Sequence, residues 1–79
     1  MYKKAYVEVT ARFNREGKII PFKIFDEGKV YIIDKVLDVC RAASLKAGGA
    51  GIRYTCRIEG TERYLFLEEN RWFVEKICD

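Results

Sequence analysis

The run Val30-Tyr31-Ile32-Ile33-Asp34-Lys35-Val36-Leu37-Asp38-Val39-Cys40 folds on paper as a strand or, from Asp34 onward, as a helix, and the class of the domain follows from the choice. Val30 to Ile33 are β-branched or aromatic and favour a strand. Continued as a strand, Ile33, Lys35, Leu37 and Val39 alternate against Asp34, Val36 and Asp38. Val36 then needs a bulge or a second covered face. Read instead as a helix over 34–47, Val36, Leu37, Cys40 and Ser44 recur at helical spacing, with Asp34 as N-cap and Gly48 as terminator. The strand leads: a long bent strand through about Cys40, then a helical turn over 42–47. An α+β domain with one helix at about 34–47 is the alternative.

The flanking segments favour β structure. Ile52, Tyr54, Cys56 and Ile58 alternate with Arg53, Thr55, Arg57 and Glu59, apolar on one side and cationic on the other. Glu59-Gly60-Thr61-Glu62 turns this strand back into Arg63-Tyr64-Leu65-Phe66-Leu67-Glu68, which is apolar on both faces. Their alternation predicts an antiparallel hairpin around Gly60 with Ile52, Tyr54, Cys56 and Ile58 inward. Glu69-Asn70 leads into a last strand over 71–77, in which Trp72 and Phe73 point opposite ways and are both covered if the sheet curls.

Toward the N-terminus, Ala5, Val7, Val9, Ala11 and Phe13 share one face of a half-buried strand, and Asn14 to Gly17 form a turn. A strand over 19–25 places Ile20, Phe22 and Ile24 on one face, and Pro21 puts it at an edge or beside a bulge. Asp26-Glu27-Gly28-Lys29 suggests a type I turn with glycine in the left-handed position. Six strands in one domain spanning 1–79 leave exposed edges unless the sheet closes. The expected fold is all-β: a small, partly closed antiparallel barrel or curled meander of about six strands.

The 79 residues carry 15 Lys+Arg against 12 Asp+Glu, a net charge of +3, and no histidine. That absence removes the commonest general base and metal ligand together. Ser44, the only serine, has no histidine to activate it, and the acidic residues are dispersed. We therefore expect a binding module with no catalytic residues, cofactor or metal. Cys40, Cys56 and Cys78 are odd in number and fit no zinc or redox spacing. Met1-Tyr2-Lys3-Lys4 runs straight into an alternating segment and no apolar run is long enough for a membrane span. Free thiols, a cytoplasmic location and no membrane partner are the expectation.

Val36-Leu37-Asp38-Val39, Lys46-Ala47-Gly48-Gly49, Gly51-Ile52-Arg53-Tyr54-Thr55-Cys56-Arg57 and Trp72-Phe73-Val74-Glu75 together resemble a family of short uncharacterised bacterial proteins. The resemblance covers most of the chain after residue 20. It implies a bacterial, cytoplasmic, stand-alone domain and contributes no site residue.

Positive charge concentrates over residues 41–63, where Arg41, Lys46, Arg53, Arg57 and Arg63 face only Glu59 and Glu62. Within it, Lys46-Ala47-Gly48-Gly49-Ala50-Gly51-Ile52-Arg53 offers backbone N–H groups flanked by cations, although it lacks the ending of a P-loop. Such a cluster is also ordinary loop chemistry. Arg53 and Arg57 share one strand face, which Arg12, Lys23, Tyr6 or Phe25 would extend if their strands were adjacent. Lys46, Gly48, Gly49, Gly51, Arg53 and Arg57 are thus the candidate ligand-binding residues, with single-stranded nucleic acid or another polyanion as partner. The rival reading is a protein-interaction or homo-oligomerising module that pairs another chain with the Pro21 or Trp72 strand.

Overall fold

The computed structural model describes residues 2–43 and 50–77. Six strands follow one another: β1 (Tyr2–Phe13), β2 (Ile19–Asp26), β3 (Lys29–Ala43), β4 (Ala50–Ile58), β5 (Thr61–Glu68) and β6 (Arg71–Ile77). Each pairs antiparallel with the next and β6 returns to β1, closing the barrel. The fold is all-β, and the helix alternative fails because β3 stays extended through Ala43. The helical turn expected over 42–47 fails at its start, since Ala42 and Ala43 pair with Gly51 and Ala50; its remainder lies outside the described residues. No helix among the described residues is long and apolar enough to cross a membrane.

Two long strands turn the corners. The first half of β1 pairs with β6 and the second with β2, while β3 passes from β2 to β4 after Ile32. The β3–β4 register slips between Ile33 and Lys35 and again between Val36 and Asp38. These two irregularities resolve the mixed pattern of this stretch: Ile33 and Val36 both pack on the core despite their odd separation. A regular alternation of Ile33, Lys35, Leu37 and Val39 is therefore corrected by the extra residues that bend the strand.

β2 carries a similar correction. Val9 pairs with Ile24 and Ala11 with Pro21, so the register slips around Phe22. Pro21 and Ile24 are buried while Phe22 is exposed, which breaks the expected Ile20, Phe22, Ile24 face. Pro21 is not on a free edge, because β2 has neighbours on both sides. It precedes the β2–β3 ladder, which starts at Lys23, and sits beside the bulge on the β1 side.

The β4–β5 hairpin has the expected register, and Tyr54, Cys56 and Ile58 face the core with Ile24, Ile33, Leu65 and Leu67. Ile52 packs partly buried against it, beside Val7, Val9, Trp72 and Val74. Phe13, by contrast, is 72% exposed at the far end of β1. The β2–β3 turn has positive φ at both Glu27 (50°) and Gly28 (78°), the two-residue type I′ geometry rather than type I. Glu59 (51°) and Gly60 (79°) repeat it. In the β1–β2 loop the Asn14 side chain accepts hydrogen bonds from the Glu16 and Lys18 amides, both at 2.9 Å.

Candidate functional site

The closed order of strands sets two rows of side chains back to back. Ile52, Leu67, Trp72 and Val7 follow one another across β4, β5, β6 and β1 on the inner face. One step along, Arg53, Phe66, Phe73 and Tyr6 form the corresponding outer row. Outer positions of a small barrel normally face water, yet Phe66 is 2% exposed and Phe73 1%. Their rings stack at 4.9 Å between centroids and 7° between planes. Tyr6 meets Phe73 edge-on at 5.9 Å, and Tyr64 meets Phe66 edge-on at 6.3 Å. This is a second apolar layer, outside the barrel.

Cations lie on that layer. The Arg53 guanidinium sits 4.6 Å from the Tyr64 ring centre and that of Arg71 sits 3.5 Å from Tyr6. Lys4 Nζ is 5.1 Å from the Phe73 centroid and forms an ion pair of 2.8 Å with Glu68, to which the Tyr6 hydroxyl donates at 3.0 Å. The hydrogen bond that Lys4 donates to the Glu68 carboxylate holds its ammonium above its ordinary pKa. Among the described residues the buried Arg53 Nε has no hydrogen-bond partner, and the guanidinium packs on the Tyr64 ring. Tyr6 and Tyr64 remain 42% and 46% exposed.

Arg53 and Arg57 both lie on the outer face of β4, four residues or about 13 Å apart. Neither forms an ion pair within the described residues. Gly51 differs from its expected role in a loop: it lies in β4 opposite Ala42, packed on the backbone of β5. A Cβ there would collide with the Leu67 carbonyl oxygen and stand 3.2 Å from Glu68 Cα. Glycine is required there by the close approach of two strands. Lys46, Gly48 and Gly49 lie outside the described residues.

Of the residues expected to widen the Arg53–Arg57 face, only Tyr6 joins it, reached through β5 and β6. Arg12, Lys23 and Phe25 belong to the β1–β2–β3 side of the barrel, because β4 has β3 and β5 as neighbours. Sequence reasoning missed Lys4, Tyr64, Phe66, Arg71 and Phe73 as one cluster. The available signal was the presence of aromatic or cationic residues on the polar-side positions of β1 and β5, at Lys4 and Tyr6 and at Tyr64 and Phe66. Trp72 and Phe73 are covered for different reasons: Trp72 packs inward at 5.3 Å from Tyr54 and stays half-buried, while Phe73 is covered by the outer rings.

Among the described residues, no cluster of three or more cysteine, aspartate or glutamate side chains has the arrangement to hold a metal ion. Comparison with protein-family models, curated proteins and solved structures finds no match to this chain.

Proposed function

We propose that the outer face of β4, β5, β6 and β1 binds single-stranded nucleic acid, or a polyanion of similar spacing. The observation that carries this reading is the pairing of Arg53 with Tyr64 and of Arg71 with Tyr6 around the stacked Phe66 and Phe73. Bases need a flat apolar surface to stack on, and phosphates need cations within reach of the same surface. Tyr6 and Tyr64 supply exposed rings; Arg53, Arg57 and Arg71 supply permanent charge. Guanidinium groups already lying on rings lose less freedom when a strand docks than extended side chains do. No proton transfer or covalent step belongs to this reading, and binding is its whole activity.

Three phosphate contacts imply a slope of log K against log salt of about −2, at −0.7 per contact for single strands. Fluorescence anisotropy with a labelled random oligonucleotide measures it. Arg53→Ser with Arg57→Ser should reduce the slope to about −0.7, the share of one remaining contact. Tyr64→Ala should weaken binding by about 1–3 kcal/mol through lost stacking. Absence of binding at low salt, or binding indifferent to the double arginine change, would end this reading.

A further inference from the structure

We infer that one end of the barrel binds a small amphipathic anion, an aliphatic monocarboxylate, with its chain on the core and its head on Arg63. The β5–β6 ladder contains only Phe66↔Phe73, Leu67↔Trp72 and Glu68↔Arg71, next to the hairpin turn. Beyond Phe66 and Phe73, β5 pairs with β4 alone and β6 with β1 alone. The wall therefore parts at the end that carries the β2–β3 and β4–β5 turns, and a cavity of about 710 Å³ reaches the interior there. Val7, Ile24, Tyr31, Ile58 and Val74 line it, and each belongs to the core or packs on it. Cavities of this size bury most of a small ligand, while a few polar groups fix its orientation. Tyr64, at the parted edge of β5, lines both this cavity and the arginine–tyrosine face, so the two sites adjoin.

Ladder register decides which charges face the cavity from within. Arg63 pairs with the buried Cys56 and Thr61 with the buried Ile58, so both side chains lie on the inner side of β5. Lys76 follows Val74 on the inner side of β6, but it is engaged by Asp26 at 2.6 Å and Glu27 at 3.6 Å. Glu62 and Glu75 lie on the outer side, where Glu62 faces Arg57 across the β4–β5 ladder and Glu75 faces Lys4 across the β1–β6 ladder. Glu59 stands in the β4–β5 turn at the rim. Among the described residues, Arg63 is thus the inner-wall charge without an ion pair. Its guanidinium and the Thr61 hydroxyl two residues away are donors for one carboxylate, with the aliphatic floor behind them. A doubly charged phosphate head meets the acidic rim unfavourably, and a cationic head would stand against Arg63.

The test titrates the full chain with decanoate and with decyltrimethylammonium, both below their micelle concentrations, and follows it by NMR. Decanoate should bind saturably and give intermolecular NOEs from its chain to the methyl groups of Val7, Ile24 and Val74. The cation should bind about fivefold more weakly or not at all. Arg63→Gln, at an exposed position that leaves the core untouched, should weaken decanoate about five- to tenfold, and Arg63→Lys should recover part of that loss. Arg15→Gln, in the β1–β2 loop at the other end of the barrel, should leave the affinity unchanged, which separates the site from a net-charge effect. The inference is overturned by no saturable binding, by NOEs confined to the outer rings of Tyr6 and Tyr64, by equal binding of the cation, or by indifference to Arg63→Gln. Binding to phosphatidylglycerol vesicles without binding to monomeric decanoate would also overturn it, in favour of a membrane surface.

Discussion

Cys56 has its side chain fully inside the barrel, where its thiol lies 3.8 Å from the Tyr54 carbonyl oxygen. Burial disfavours the thiolate and pushes its pKa up from 9.0 to about 11. In the unfolded chain the thiol ionises near pH 9, whereas in the fold it keeps its proton to about pH 11. The native state therefore binds more protons across this window, and its stability falls as pH rises through it. Between pH 8 and 10 the loss should be about 1.4 kcal/mol, one pKa unit of linkage. Tyr54 is also raised by burial and Lys76 by its hydrogen bond to Asp26, so their losses lie above pH 10. Urea unfolding at both pH values checks this, and Cys56→Val should flatten the pH 8–10 interval while keeping the fall at higher pH. Cys40 and Cys56 are free thiols as expected, and Cys78 lies outside the described residues.

At the scale of elements, β4 is the strand on which both faces matter. Its inner residues belong to the core, its outer arginines to the proposed binding face, and Gly51 sets its distance from β5. Gly51→Ala should cost about 1–3 kcal/mol, because the added methyl meets backbone that can give way only by separating the strands. Thermal unfolding measures the cost. Arg53 stacks on Tyr64 of the neighbouring β5, so the same change should also lower oligonucleotide affinity. Strict alternation over 52–58 made this strand legible in the sequence, since period 2 leaves no other way to bury four apolar residues together. The strands β2 and β3 were legible in extent but not in facing. A bulge moves every later side chain to the other face; Pro21 and Val36 signalled the two stretches, but no local feature of Phe22 or Leu37 marks it as the extra residue.

The whole molecule is held by ties between its two sides. The buried Tyr54 hydroxyl donates to the Ile19 carbonyl at 2.9 Å, joining β4 to β2 across the barrel. Tyr54→Phe should cost about 1–1.5 kcal/mol by removing this bond. In a domain of this size, that corresponds to a fall in Tm of about 4–12 °C, measurable by circular dichroism. A chain of 79 residues buries too little surface to absorb many such losses.

By itself the sequence determined the all-β class, the strand order from its turns, the β4–β5 register and the shared side of Arg53 and Arg57. These are local properties, set by period-2 alternation and by glycines at turns. Tertiary structure alone decided which strands lie beside the arginines, because closure puts β1 next to β6, some seventy residues apart in the chain. It brought Lys4 and Tyr6 to Glu68, and Phe73 onto Phe66, making one outer aromatic layer from strands at opposite ends of the chain. It also ended the β5–β6 ladder at Phe66 and Phe73. Where two twisted strands part depends on the curvature of the whole barrel, and no residue within either strand encodes that distance.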